Sequence, residues 1–196
     1  YDDVFTRLGL ENTIIKINNR KILSGIAEII GAKDKLIDFT VALDKLDKIG
    51  VEGVLKEMRA KEIAEAALTK LMPLFSLSGS NKEQLAALTE LLSESEEGLK
   101  GIEELTFVID QIDALGLKSS ALALDLTLAR GLNYYTGAIF EVQANGVQMG
   151  SIGGGGRYDD LTGIFGLKDI SCVGISFGLD RIYLVMEELE LFANTP

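Results

Sequence analysis

At residue 121 the hydrophobic period of the chain changes from 3.6 to 2, so the fold must combine helices with a sheet. In the run ALALDLTL at 121–128, Leu122, Leu124, Leu126 and Leu128 fall on one face. Ala121, Ala123, Asp125 and Thr127 fall on the other. One greasy face and one small, polar face predict a sheet with helices behind and a cleft in front. Before that point the stripes are mostly helical. Residues 13–17 form a short β-branched strand with Asn18-Asn19 as its stop signal. Ile22, Ile26, Ile29 and Ile30 then recur at helical spacing, with Gly31 as C-cap. A second helix is expected over 36–49, ending at Gly50. Val54, Leu55 and Met58 mark a third; Ile63, Ala67, Leu68 and Leu71 mark a fourth, stopped by Pro73. Residues 76–82 read as a loop, followed by a stripe at Leu85, Leu88, Leu91 and Leu92. A longer stripe, Leu99, Ile102, Leu105, Ile109 and Ile112, ends before Gly116. All of them read as helix-to-helix core.

Downstream of 121 the segments AIFEVQA and VQMGSI flank Asn145-Gly146, the strongest short hairpin signal, because a type I′ turn needs positive φ at both central residues. A glycine cluster, a loop, a short strand at 172–176 and a closing helix with Leu179, Ile182, Met186 and Leu189 on one face follow. The fold class is therefore α+β: an antiparallel sheet backed by helices, preceded by a helical region. Charge divides at the same place. Residues 1–120 hold 36 charged residues against 13 in 121–196, whereas 12 of the 21 glycines lie between Gly131 and Gly178.

The 196 residues carry 19 Lys plus Arg and 30 Asp plus Glu, a formal charge of −11, which argues against binding nucleic acid through a general basic surface. Histidine is absent, so a Ser-His-Asp triad, a Cys-His pair and His-ligated zinc or haem are excluded within the chain. The single cysteine, Cys172, excludes an internal disulfide and suits a reducing cytosol; in an apolar run with no activating base, it reads as buried core. No 18-residue apolar run and no signal peptide is present, so the chain reads as soluble.

Three segments concentrate chemistry: ARGLNYYTG at 129–137, GGGGRYDDL at 153–161 and GISFGLDRI at 174–182. Arg130, Arg157 and Arg181 each stand beside glycine or aromatic residues, where a guanidinium fork can reach a phosphate or carboxylate. The competing reading is a structural pair with a carboxylate such as Asp159 or Asp180. Arg181 is the most informative by position: a cation in the first turn of a helix opposes the macrodipole unless an anion sits there too. The glycines at 153–156 fit neither a dinucleotide fingerprint nor a P-loop, and on their own mark a bend or flexible loop as readily as a ligand cradle. Tyr134, Tyr135 and Tyr158 can hydrogen-bond a polar ring or simply pack on the sheet.

Together these segments resemble the histidyl-tRNA synthetase family of class II aminoacyl-tRNA synthetases. ARGLNYYTG looks like the family's first histidine-specific motif, GGGGRYDDL like its second, and GISFGLDRI like the third class II motif. IKINNRKIL at 15–23 and LDKLDKIG at 43–50 are similar to segments leading into its helical insertion. The resemblance implies a discontinuous catalytic-core portion at 1–19 and 119–196 around a helical insertion domain at 20–118. It implies activation of L-histidine by ATP to histidyl-adenylate, then transfer to tRNA, in a cytoplasmic homodimer with no membrane part. By the same resemblance Arg130 would be the catalytic residue, touching the α-phosphate and substrate carboxylate. Tyr134, Tyr135, Tyr158, Gly154 and Gly155 would bind histidine. Arg130, Arg181 and Gly178 would bind ATP, Mg2+ would accompany the nucleotide, and no protein metal site is expected.

The sequence departs from the family pattern at Asn133, Asp160 and Asp180, where the family usually has Asp, Gly and Glu. The family's first two motifs are expected before Tyr1 and its anticodon-binding domain after Pro196, so the chain reads as an internal fragment, inactive alone. Two other readings stay open: a synthetase-like regulatory subunit of histidine biosynthesis that binds without catalysis, and a protein-interaction module. Arg130 argues against the first, and the three arginine–glycine segments against the second.

Overall fold

A computed structural model describes residues 1–129 and 134–193; Arg130 and Asn133, singled out above, lie outside the described residues. The order is α1 (Asp2–Arg7), β1 (Thr13–Asn19), α2 (Arg20–Ile29), α3 (Leu36–Leu43), α4 (Leu46–Ala60), α5 (Glu65–Phe75), α6 (Asn81–Leu91), α7 (Glu96–Leu115), β2 (Ser120–Leu124), β3 (Ala138–Ala144), β4 (Gly153–Tyr158), α8 (Leu161–Ile164), β5 (Cys172–Phe177) and α9 (Leu179–Glu188). The strands form one sheet in the order β2-β1-β3-β4-β5.

The sheet is antiparallel except at one end, where β1 and β2 run parallel. A parallel neighbour needs a long crossover, and α2 to α7 supply it. Asn19 ends β1 and caps α2 at once, its side chain accepting from the Lys21 amide at 2.9 Å. Buried Asn18 donates through Nδ2 to the carbonyls of Leu126 (3.2 Å) and Leu128 (2.9 Å), fixing the chain beyond β2.

The helical stripes bury as their period requires. Ile22, Leu23, Ile26, Leu88, Leu105 and Ile109 share one core with Ile17 and Leu124 of the sheet. A second core, with Phe5, Ile15, Val142, Ile152, Ile182 and Val185, lies under α1 and α9. Helices α2 and α7 cross at glycines: a Cβ on Gly25 would stand 2.5 Å from Gly98 Cα, closer than any side chain permits.

Several expectations change. The helix expected over 36–49 is two, and α4 is itself broken by Gly50 at φ 66°. Pro73 does not stop α5: its ring takes one amide out of the ladder near the end, and the last turn runs on to Phe75. The Asn145-Gly146 hairpin does not form, because only Gly146 has positive φ (83°). Residues 145–152 are instead a connection, and β3 pairs with the glycine cluster, which is therefore neither bend nor loop but a central strand. Cys172 is half-buried at the start of β5, a strand hydrogen-bonded on one side among the described residues. Val173 and Ile175 on that strand are 65% and 54% exposed, a bare apolar edge.

One titration follows from the fold. The Asp2 carboxylate accepts from the amides of Lys118 (2.9 Å), Ser119 (3.0 Å) and Ser120 (2.9 Å), tying α1 to β2. Burial pushes its pKa up, but these amides outweigh burial and hold it down to about 2 from 3.8. A depressed pKa means stability that is complete above 3.8 and lost as pH falls toward about 2. Asp2→Asn is expected to remove that dependence and, after solvent screening, on the order of 1 kcal/mol at neutral pH, read by urea unfolding at pH 7 and pH 3.

Candidate functional site

Strand alternation decides which residues can share a site. Ala123, Lys16, Glu141, Gly154 and Ser176 are successive register partners, so they form one row across the sheet. The adjacent row is Leu124, Ile17, Phe140, Gly155 and Ile175, and its Leu124, Ile17 and Phe140 side chains pack into the core under the helices. The front is thus the small, polar face expected from ALALDLTL. Lys16 pairs there with Asp125 at 2.8 Å. Burial alone would lower the Lys16 pKa, but the Asp125 carboxylate prevails and the net shift is upward.

A cavity of about 280 Å3 opens on this sheet, lined among others by Tyr134, Tyr135, Glu141, Gly154, Ser176 and Arg181. Tyr134 and Tyr135 line one end; Tyr158 is on the same face of the sheet but not in the cavity wall. Tyr135 lies over Gly156: a Cβ there would meet its ring at 2.8 Å, so only glycine leaves room for it. Tyr158, two residues on and hence on the same face, covers Gly174, where a Cβ would be 3.3 Å from the tyrosine hydroxyl. Tyr134 is 46% exposed and packs on Tyr135 with ring centroids 4.4 Å apart. Burial, then a hydrogen bond with Tyr134, pushes the Tyr135 hydroxyl up to about 12, so it stays neutral at physiological pH.

At the other end is Arg181, exposed in the first turn of α9, with Nη1 donating to the Ser151 carbonyl at 2.7 Å. Among the described residues no carboxylate pairs with it, Asp180 included. Gly178 precedes α9 and donates its amide to the Ile152 carbonyl at 2.8 Å. Gly154 faces the cavity. Gly155 lines it by backbone, and its missing Cβ answers a different need: the atom would fall 2.2 Å from Gly174 O.

Arg157 belongs to the opposite face. Its Nε donates to both oxygens of Asp159 at 3.0 and 3.2 Å, so the structural pairing holds there and not the anion fork. Glu141 and Ser176 were not singled out by sequence reasoning. The signal for Glu141 was present, since it is the one charged residue in AIFEVQA. The site therefore offers the neutral Tyr135 hydroxyl at one end, the Glu141 side chain between, and a guanidinium at the other. That polarity suits a ligand with a polar ring and an anionic tail.

The chain is similar in sequence and fold to known proteins. The family model described as Histidyl-tRNA synthetase matches residues 2–182. The Histidine--tRNA ligase of Flavobacterium johnsoniae is 71% identical over the whole chain, which spans 41% of that protein. The one from Christiangramia forsetii is 67% identical over the whole chain, which spans 43% of it. The crystal structure of histidyl-tRNA synthetase from Nostoc sp. PCC 7120 superposes with a TM-score of 0.87 at 32% identity, over 96% of this chain and 45% of that one. An ATP phosphoribosyltransferase regulatory subunit/histidyl-tRNA synthetase from Bacillus halodurans shares the fold at a TM-score of 0.77, with 23% identity over 95% of this chain and 47% of that one.

Proposed function

The chain belongs to the histidyl-tRNA synthetase family, and we propose that in its full-length protein it forms the histidine pocket and one phosphate-binding end of a histidine–tRNA ligase. It spans about two fifths of the length of the curated relatives it matches. The activity below is therefore that of the longer protein. One observation carries the reading: the neutral Tyr135 hydroxyl and the Arg181 guanidinium line one cavity of about 280 Å3, with room for a residue-sized ligand.

In the first step a histidine carboxylate oxygen attacks the α-phosphorus of ATP. A P–O bond forms to give histidyl-adenylate, and the bond to pyrophosphate breaks. Such a step is governed by positioning and charge stabilisation, and needs no protein nucleophile. Tyr135 and Tyr158 hydrogen-bond the imidazole, and Tyr134 shapes that end of the pocket. A ligand without ring nitrogens would leave those hydroxyls unpaired, which is the basis of specificity. Gly154 and Gly155 let the substrate approach the backbone of β4. Arg181, with the N-terminus of α9 at Gly178, holds the γ-phosphate. Arg130, outside the described residues, is assigned the α-phosphate and substrate carboxylate on its motif alone. Mg2+ would accompany the ATP phosphates and offset their charge; among the described residues no three His, Cys, Asp or Glu are grouped to hold a metal. The second step transfers the histidyl group to tRNA. A homodimer in the cytoplasm, with a core portion at 1–19 and 119–196 and an insertion at 20–118, completes the proposal. Among the described residues no helix is long and apolar enough to cross a membrane.

The test is histidine-dependent ATP–pyrophosphate exchange by the full-length protein, run beside the 196-residue chain alone. Exchange is expected in the longer protein with histidine only, and none in the short chain. A folded full-length protein that binds histidine without exchange would point to a regulatory subunit.

A further inference from the structure

Behind the cavity, β4 turns a second set of side chains toward the helices, and these hold the segment that carries Tyr135. The Thr136 amide donates to the Arg157 carbonyl at 2.9 Å. Its hydroxyl donates to Asp159 Oδ2 at 2.7 Å. The same carboxylate is gripped by Arg157 Nε, while Arg157 Nη2 reaches Ser171 Oγ at 3.4 Å. Burial pushes the Asp159 carboxyl up, but hydrogen bonds from Ser171, Thr136 and Arg157 hold it below the usual carboxylate range. The far end of the segment is pinned as well, since the Gly137 carbonyl accepts from the Arg20 amide at 2.9 Å. A Cβ at Gly137 would stand 3.0 Å from Arg157 Cδ, so the arginine lies flat against the segment it holds. None of these groups lines the cavity.

We propose that Thr136, Asp159 and Arg157 are positioning residues that set histidine affinity by fixing the Tyr135 ring over Gly156. This rests on the proposed histidine pocket. Tyr135 comes from a connection and not from a strand, so its placement must be imposed from outside. Thr136 and Asp159 bridge that connection to β4, which carries Tyr158, and the two tyrosines are thereby held in one geometry. A pocket that reads a ring by hydrogen bonds is sensitive to displacements well below 1 Å.

The linkage reaches further back. Glu104 of α7 accepts from Asn19 Nδ2 at 2.8 Å and from Lys21 Nζ. Its pKa is raised by burial, but those two bonds and then the charges of Lys21 and Arg157 bring it below the ordinary value. The helical region thus reaches the rear of the pocket at Gly137, where a Cβ would stand 3.5 Å from Glu104 Oε2.

The experiment uses the full-length protein and ATP–pyrophosphate exchange, with Thr136→Val, Thr136→Ser and Asp159→Asn. Valine keeps the volume of threonine and removes the donor. It is expected to raise the KM for histidine about tenfold, the scale of one lost hydrogen bond, with the KM for ATP within about twofold. Serine, which keeps the hydroxyl, should restore the wild-type histidine KM. Discrimination against a histidine analogue lacking one ring nitrogen should narrow in Thr136→Val. If Asp159→Asn fails to fold, the threonine pair still decides. Wild-type exchange with an unchanged histidine KM in Thr136→Val overturns this inference alone. So does an equal loss toward histidine and ATP, the mark of general disruption. A folded wild type without histidine-dependent exchange overturns the pocket assignment itself, and this inference with it.

Discussion

Alanine at Gly155 is expected to abolish the folded sheet, whereas alanine at Gly154, one residue away, should fold and lose affinity for histidine. The two glycines face opposite sides of β4, and their neighbours differ in kind. At position 155 a Cβ would lie 2.2 Å from the Gly174 carbonyl oxygen and 2.9 Å from Ile175 Cα, both backbone atoms of the paired strand. Backbone cannot swing aside as a flexible side chain can, so β4 and β5 would have to separate. The expected loss is about 3 kcal/mol or more, at the upper end of overpacking costs. At position 154 the nearest atom is Phe140 O at 3.3 Å, a contact that a shift of a few tenths of an ångström relieves. The added methyl group then projects into the cavity beside Glu141 and Ser176. Denaturant unfolding and soluble yield read the first effect; the histidine KM in exchange reads the second. A stable Gly155→Ala protein would mean that the strand pairing tolerates the clash. A Gly154→Ala protein with wild-type histidine KM would remove this position from the substrate site.

That contrast also explains why the glycine cluster was hard to read. Four consecutive glycines have weak strand propensity and no alternation, so local sequence gives no period to follow. Their reason is long-range: the carbonyl of Gly174 behind one, the ring of Tyr135 in front of another. Neither neighbour is near in sequence. Asn145-Gly146 failed for the converse reason. Its local turn preference is strong, but β3 already has the glycine strand as partner, and tertiary pairing overrode the dipeptide. The helical stripes survived because their information is local and repeated, as in Ile22, Ile26, Leu85, Leu88, Leu105 and Ile109, all buried. Cys172 misled because an apolar run says nothing about whether its strand lies at an edge.

For the site, residue types were legible and their sides were not. The period of 121–128 placed small and polar groups in front, and Tyr134, Tyr135 and Arg181 line one cavity there, with Tyr158 on the same face over Gly174. Arg157 carries the same guanidinium and stands equally close to glycines, yet it points backward. Only the strand register distinguishes them: counting from Gly154, position 157 is odd and position 158 even. The register could not be fixed while the cluster still read as a bend.

Arg181→Ala in the full-length protein is expected to weaken ATP–pyrophosphate exchange by about 10–100-fold at low ATP, the scale of one lost charge-assisted contact to a phosphate. Most of the loss should appear in the KM for ATP, because the γ-phosphate is distant from the reacting bond. Folding should be nearly unaffected. The side chain is exposed and its hydrogen bond among the described residues is to the Ser151 carbonyl, which water can replace. Removing a cation from the first turn of α9 also relieves an unfavourable interaction with the helix dipole, worth a few tenths of a kcal/mol. The variant should therefore be as stable as the wild type, or slightly more so, while losing activity. Such a pairing is hard to produce by structural damage. Arg181→Lys separates charge from geometry: a lysine restores the cation without the planar fork, so partial recovery is expected if the fork spans two phosphate oxygens. Full activity in Arg181→Ala would mean that the phosphates bind elsewhere, and would leave the cation at the start of α9 without a purpose.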